Sequence, residues 1–169
     1  MIATLAHAPV SLVVATDSSF ESFYRVEAPG LYRALSLAIG DSELAREATD
    51  EGFVRAYQNW RKIQHYDNPA GWVYRVSLNW ARSRIRKTKR EVITDEVSQS
   101  TFEHSNDPAL TQALETLPIE FRSVVVLRYL LQWSTSEVAE ALGVPLGTVK
   151  SRLSRALDQL RVELGEDDG

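Results

Sequence analysis

Residues 117–161 read LPIEFRSVVVLRYLLQWSTSEVAEALGVPLGTVKSRLSRALDQLR, and this stretch predicts two short helices around a tight turn. Ser134, with Glu137 three residues later, fits a capping box at the start of the first helix. Gly143 suits the left-handed conformation that ends a helix, and Pro145 suits the first turn of the next one. The spacing therefore predicts a helix-turn-helix.

The second helix of this unit is predicted to have one apolar side. Its apolar residues recur at helical spacing, at Val149, Leu153, Ala156, Leu157 and Leu160. Polar and basic residues take the flank and the opposite side, at Lys150, Ser151, Ser154 and Arg155. A helix-turn-helix directs such early residues towards the bases of the major groove. A surface helix packed on a core shows a similar face, and the short Gly-Val-Pro turn favours the DNA-binding interpretation.

Composition limits the class of protein. A chain of 169 residues with 44% hydrophobic residues can form one or two domains. The absence of cysteine excludes disulfides, zinc-thiolate sites and cysteine nucleophiles, and it suits a cytoplasmic location. The apolar run near the start lacks a basic segment and is too short and interrupted to cross a bilayer, so residues 1–16 are predicted to be a disordered leader without membrane insertion.

The formal net charge of −4 hides two segregated blocks. Residues 68–90 contain seven basic side chains and no acidic one, whereas residues 91–120 contain seven acidic side chains and no Lys or Arg. Such blocks can steer a polyanion to one surface and a basic partner to another.

Apolar residues recur at helical spacing through most of the chain, which predicts an all-α fold. We expect a first helix over 17–39 with an interruption at Pro29-Gly30, and a second that begins at Asp41 or Ser42 and ends near Trp60. Residues 61–67 are predicted to be a loop. Asn68-Pro69 then opens a third helix, whose predicted buried stripe consists of Trp72, Val76, Trp80 and Ile85.

The polar, weakly periodic segment 91–107 is predicted to be a flexible acidic linker. It joins two small helical domains, predicted over 17–90 and 108–164, and residues 165–169 form an acidic tail.

The third helix combines charge with aromatic side chains. Arg82, Arg86 and Lys89 form a basic stripe, beside an aromatic-rich face that holds Trp72, Tyr74 and Trp80. Basic and aromatic groups together suit a nucleic acid whose bases leave the stack. Packing of the two tryptophans in the core is the alternative. The amide of Asn79 can pair with a base edge or stay in solvent.

An acidic strip lies on the second helix, at Glu43, Glu47, Asp50 and Glu51. It is interpreted either as a solvated face near the positive end of the helix dipole or as a docking surface for a basic partner. A metal site is disfavoured because no His accompanies these carboxylates. An enzyme is disfavoured as well, because His7, His65 and His104 are scattered. No catalytic residue, metal or cofactor is therefore expected.

With these residues assembled, the chain resembles an extracytoplasmic-function sigma factor of the bacterial sigma-seventy family. The similarity covers about Phe20 to Arg161. AREATDEGFVRAYQNW and NPAGWVYRVSLNWARSRIRK are similar to the family's region two, and LPIEFRSVVVLRYL with EVAEALGVPLGTVKSRLSRAL is similar to region four. The resemblance implies core RNA polymerase and promoter DNA as partners, and it leaves room for an anti-sigma factor.

The resemblance also implies roles for particular residues. Region two would bind the clamp of the largest polymerase subunit through Glu47, Asp50, Glu51 and Phe53, although the family usually has Gln where Asp50 stands. It would open the minus-ten element through Ile63, His65, Tyr66, Asp67, Asn68, Asn79, Arg82, Arg86 and Lys87. Region four would bind the flap of the second-largest subunit and read the minus-thirty-five element through Lys150, Ser151, Arg152, Ser154 and Arg155.

The alternative is a stand-alone helix-turn-helix regulator that acts without polymerase. The net negative charge is compatible with the sigma-factor interpretation, because a protein that binds DNA only as part of polymerase needs little affinity for free duplex.

Overall fold

The computed structural model describes the backbone of residues 8–91 and 107–165, and side chains from residue 19 onward. The described residues form eight α-helices and one π-helical turn, without a strand, which confirms the predicted all-α fold. The helices are α1 (Ala8–Ile39), α2 (Ser42–Gln58), α3 (Trp60–Ile63), α4 (Pro69–Glu91), α5 (Pro108–Glu115), α6 (Ile119–Val125), α7 (Thr135–Leu142) and α8 (Leu146–Glu163), with the π-helical turn at Val126–Leu130. The predicted linker lies, apart from its two ends, outside the described residues.

The first half of the chain is a bundle in which α2 packs between α1 and α4. Both predicted helix starts are confirmed by side-chain caps. The Asp41 carboxylate accepts a hydrogen bond from the Leu44 N–H at 3.0 Å, and Asn68 Oδ1 accepts one from the Gly71 N–H at 2.9 Å. These caps satisfy backbone donors that the first turn of a helix leaves free.

The predicted interruption of the first helix is wrong, because α1 continues through Pro29. Proline holds φ near the helical value and removes a single backbone donor, at a cost of about 3 kcal/mol in a helix interior. Burial of Leu31, Ala34 and Leu35 directly after the proline offsets that cost. Helix α1 also begins inside the predicted leader, so the prediction of disorder is wrong for residues 8–16, and residues 1–7 lie outside the described part.

Two further predictions for this half need correction. A short helix, α3, occupies the start of the predicted loop. On α4 the predicted stripe is only half-buried, and the buried face lies beside it, at Ala70, Gly71, Val73, Tyr74, Ser77, Leu78 and Ala81. Most of these side chains are small, so the backbones of α2 and α4 approach closely. A Cβ placed on Gly52 would lie 2.1 Å from Ser77 Oγ.

The second half confirms the helix-turn-helix in its local detail. Glu137 N–H donates to Ser134 Oγ at 3.1 Å, and Ser134 N–H donates back to Glu137 Oε2 at 2.7 Å, which completes the capping box. Gly143 ends α7 with φ of 65°, and α8 starts directly after Pro145. Helix α5 begins at an Asp107 cap. The π-helical turn after α6 was not predicted.

The two halves pack against each other. Helix α7 lies on α4, and α6 and the π-helical turn lie on α1. One buried apolar cluster contains residues of both halves, including Leu35 and Val73 from the first and Leu127 and Val138 from the second. The helix-turn-helix is therefore fixed against the basic helix α4.

Candidate nucleic-acid and protein interfaces

Helix α8 presents the polar face that its spacing predicts. Lys150, Ser151, Ser154 and Arg155 are exposed, whereas Val149, Ala156 and Leu160 are buried and Leu153 and Leu157 are half-buried. Ser151 is partly engaged, since its hydroxyl donates to Thr148 O at 3.1 Å. Three of the predicted side chains, Lys150, Ser154 and Arg155, are thus available on the exposed face of the second helix of the motif.

Arg152 faces another direction. It is half-buried and lines a cavity of about 250 Å³ between α8, α7 and α4. Asn79 and Arg82 of α4 line the same cavity. The structure therefore brings one predicted minus-thirty-five residue together with two predicted minus-ten residues.

The residues predicted in the minus-ten loop separate into two groups. His65, Tyr66 and Asp67 are exposed. Ile63 is only 1% exposed and belongs to the core, and Asn68 uses its side-chain oxygen to cap α4. The predicted contact of Ile63 with a base is therefore wrong for this conformation, since a buried isoleucine holds the loop from below. Its apolar character was the signal for burial.

On α4, Asn79, Arg86 and Lys87 are exposed and Arg82 is half-buried. Arg82 Nη2 lies 3.2 Å from Glu120 Oε1 at the start of α6. Arg84 sits over the ring of Trp80, 5.3 Å from its centroid, and 4.0 Å from Glu47 Oε2. This basic surface is thus partly neutralised by carboxylates of the same chain.

Tyr74 belongs to the core and cannot act as a base platform here. It has no exposed surface, and its hydroxyl donates to Ser123 Oγ of α6 over 3.2 Å. Desolvation by burial raises the pKa of Tyr74 to about 12, so the hydroxyl stays protonated and can donate at neutral pH. Trp72 and Trp80 are half-buried beside the core, as the core alternative for these two side chains requires in part.

The acidic strip on α2 is exposed at Glu43, Glu47 and Asp50, while Glu51 is half-buried and binds Arg55 Nε at 2.7 Å. Phe53 does not belong to this surface. It is 3% exposed and lies in an aromatic cluster, 4.8 Å from the ring centroid of Tyr24 and 5.8 Å from that of Phe23. The predicted contact of Phe53 with a partner is therefore wrong for this conformation, because Phe53 supports α2 from inside.

Sequence analysis missed two exposed apolar side chains beside the strip. Val54 is 52% exposed and Tyr57 is 53% exposed. Helical spacing places them on the side of α2 that carries Asp50, since residues three and four apart are neighbours on a helix. Exposed apolar groups next to charges are typical of protein contact surfaces. Their spacing from Asp50 was the available signal.

Among the residues with described side chains, no three His, Cys, Asp or Glu residues form a group that could hold a metal ion. The carboxylates on α2 are thus better interpreted as a surface than as a cation site. Within the described ranges, no helix is both long enough and apolar enough to span a membrane.

Together, the helix-turn-helix and the basic helix packed against it define a DNA-binding class of all-α protein. Comparison with known families narrows this class. The family described as Sigma-70 region 2 matches residues 23–91, and the family described as Sigma-70, region 4 matches residues 108–160. The chain belongs to the sigma-70 family of RNA polymerase sigma factors, in its extracytoplasmic-function (ECF) group.

Individual relatives agree with this assignment. The RNA polymerase sigma-E factor of Streptomyces avermitilis is 35% identical over 155 residues, which cover 88% of this chain and 87% of that protein. The ECF RNA polymerase sigma factor SigL of Mycobacterium tuberculosis is 31% identical over 171 residues, which cover 94% and 97%. The ECF factor SigW of Bacillus subtilis is 29% identical, with 79% and 82% covered.

A solved structure shares the fold. The sigma factor RpoE of Bartonella quintana, in complex with the anti-sigma factor NepR, matches with a TM-score of 0.74 and 22% identity. The match covers 89% of this chain and 99% of that one.

Proposed function

We propose that this chain is the promoter-specificity subunit of bacterial RNA polymerase, which directs initiation by contacting the minus-ten and minus-thirty-five elements and helping to open the DNA. One observation carries the proposal: the same chain holds an exposed recognition face on α8, a basic helix α4 and an acidic, partly apolar face on α2. A stand-alone regulator would need only the first of these surfaces.

The face of α2 is the proposed site for the polymerase clamp. Glu47 and Asp50 supply negative charge there, and Val54 and Tyr57 supply exposed apolar area. Complementary charge accelerates encounter and fixes the orientation of the partners, whereas an aromatic anchor contributes binding energy when its partner desolvates it. We assign the flap contact to region four without choosing individual residues.

The two DNA contacts are proposed for different strands and elements. Lys150, Ser154 and Arg155 would enter the major groove of the minus-thirty-five element as α8 docks. His65, Tyr66 and Asn79 would hold unstacked bases of the minus-ten element, with Arg86 and Lys87 on phosphates. With a net charge of −4, the free chain is expected to bind duplex weakly, so that specificity is exerted within the polymerase complex.

The proposal includes no catalysis by the chain itself, since phosphodiester synthesis would belong to the polymerase. It places the protein in the cytoplasm with its DNA template. An anti-sigma factor is a further proposed partner, because the RpoE chain with the same fold is bound by one.

Transcription in vitro with purified core polymerase tests the proposal. Templates come from transcription starts mapped after induced expression of the chain, and Lys150→Ala with Arg155→Ala provides the matched control. We expect start sites that depend on the chain and share two sequence elements. Specific operator binding without polymerase, unchanged by charge reversal at Glu47 and Asp50, would instead support the stand-alone regulator.

Arg155→Ala is expected to weaken use of the minus-thirty-five element by about 1–3 kcal/mol if Arg155 reads a base. The loss should be greatest on promoters that carry the preferred base and smaller on promoters that lack it. Arg161→Ala is the matched control, because Arg161 lies later on α8 and pairs with Asp158 at 3.2 Å. An equal loss on all promoter sequences would assign Arg155 to the phosphate backbone.

Asn79→Ala is expected to impair strand opening while polymerase binding is retained, because the exposed amide is the proposed partner of an unstacked base. Permanganate reactivity of minus-ten thymines measures the open strand. Ser83→Ala, one helical turn later and also exposed, is the control. Full reactivity in the Asn79 variant would remove this residue from the opening step.

A further inference from the structure

The contact between the two halves of the chain is built like a protein interior. Tyr74 of α4 and Ser123 of α6 are both fully buried, and their hydroxyl groups are hydrogen-bonded to each other. Leu31 of α1 and Leu127 of the π-helical turn belong to the same buried cluster. Buried apolar area and a satisfied polar pair hold the halves in one defined orientation.

Polar contacts surround this buried centre. Arg82 pairs with Glu120 at 3.2 Å. The guanidinium group of Arg75 lies at the C-terminal end of α7, with Nη2 2.7 Å from the position that a Cβ on Gly143 would take. The C-terminal end of a helix carries partial negative charge, so it favours a cation. Two arginines of the basic helix are thus directed at the helix-turn-helix half.

In this arrangement the proposed DNA-binding faces compete with intramolecular packing. Asn79, Arg82 and Arg152 line one cavity of about 250 Å³. The Glu120 carboxylate occupies the side of Arg82 where a DNA phosphate would bind. Since both are oxygen anions, they are alternative partners for the same guanidinium.

Promoter geometry cannot be matched by this arrangement. Two elements named for positions about 25 base pairs apart are separated by about 85 Å along B-DNA, at about 34 Å per turn. A compact chain of this length has a radius of gyration of only about 15 Å. Fifteen residues separate Glu91 from Asp107, and such a segment can extend to about 55 Å. The covalent chain therefore allows the separation that the promoter requires.

We propose that the free chain inhibits itself: the helix-turn-helix half covers α4, and the pairs Tyr74–Ser123 and Arg82–Glu120, with Arg75 at the end of α7, form a latch that opens on polymerase and promoter. This inference rests on the proposed function. The latch lowers the apparent affinity for promoter DNA by the fraction of molecules that are open. Binding of DNA returns Arg82 to a phosphate partner, so the ligand itself favours the open form.

A disulfide across the latch provides the direct test. The chain has no cysteine, so Gly71→Cys with Ala141→Cys introduces a single possible bridge. A Cβ on Gly71 would lie 3.3 Å from Ala141 Cβ, close to the Cβ separation of about 3.5–4.5 Å in disulfides. We expect the bridge to form readily in the free protein. The oxidised form should lose promoter-dependent transcription at least about tenfold and regain it on reduction.

Each single-cysteine variant controls for the substitutions themselves. The oxidised form should still bind core polymerase, because the acidic face of α2 lies away from the bridge. Full transcription by the oxidised protein would overturn the proposal, and so would failure of the bridge to form.

Thiol alkylation of the free chain tests closure without polymerase. Ala141 is 4% exposed at the contact with α4, so Ala141→Cys should react much more slowly than Ser136→Cys on the exposed face of the same helix. Adding Tyr74→Phe should raise the rate at Cys-substituted position 141 about fivefold, since Ser123 loses its partner. Tyr129→Phe, at an exposed tyrosine, should leave that rate unchanged.

Equal alkylation at positions 136 and 141 of the otherwise unaltered chain would show that the free protein is open and would overturn the proposal. Failure of the proposed function is recognised separately, as absence of transcription by the unaltered chain with core polymerase. The alkylation and bridging results do not depend on that activity.

Discussion

Gly52→Ala is expected to lower the free energy of unfolding by about 2 kcal/mol, within the range of about 1–3 kcal/mol for overpacked cores. Alanine would by itself favour the helix by about 0.5–1 kcal/mol. The added methyl group, however, would lie 2.1 Å from Ser77 Oγ and 3.1 Å from Val73 O on the facing helix. Backbone atoms cannot move aside easily, so the steric cost exceeds the gain in propensity. Urea denaturation followed by helical circular dichroism measures the change.

A second substitution gives this prediction a matched control. Ser77 Oγ is buried and has no hydrogen-bond partner among the described residues, so Ser77→Ala alone should be neutral or slightly stabilising. It also removes the atom nearest to the new methyl group. The double variant Gly52→Ala with Ser77→Ala should therefore recover at least half of the loss. Strictly additive effects of the two changes would contradict a direct contact between these positions.

Local chemistry explains why the helix-turn-helix was predictable. The capping box of Ser134 and Glu137, the left-handed Gly143 and the position of Pro145 each depend on neighbours within a few residues. The same holds for the caps at Asp41 and Asn68. These signals place the start of α8, and therefore the exposed positions of Lys150 and Arg155, without knowledge of the tertiary structure.

Packing between distant segments explains what the sequence did not predict. Hydrophobicity placed Trp72 and Trp80 on the buried face of α4, but the close approach of Gly52 selects the neighbouring face with small side chains. The similarity to region two carried Ile63 and Phe53 into contact surfaces, whereas both fill the core. Burial of Tyr74 depends on Ser123, 49 positions later. No local pattern encodes a contact over that separation, so the latch required the structure.

The largest functional effect is expected from reversing charge on the acidic strip. Glu47→Lys with Asp50→Lys should weaken binding to core polymerase at least about tenfold, or about 1.4 kcal/mol. Both side chains are exposed, and Glu47 contacts only the exposed guanidinium of Arg84, at 4.0 Å. The reversal should therefore leave the fold intact, since surface charges contribute little to stability. Titration of labelled core polymerase, followed by fluorescence anisotropy, measures the affinity.

Glu21→Lys with Glu163→Lys makes the same change of net charge away from the strip and is the matched control. If charge complementarity at α2 guides the encounter, only the Glu47 and Asp50 variant should lose affinity, and the loss should shrink as ionic strength rises, because salt screens exposed charges beyond about 10 Å at 0.1 M. An equal loss in both variants would indicate a general effect of net charge. Unchanged affinity in the strip variant would assign polymerase binding to another surface, with Val54 and Tyr57 as the next side chains to replace.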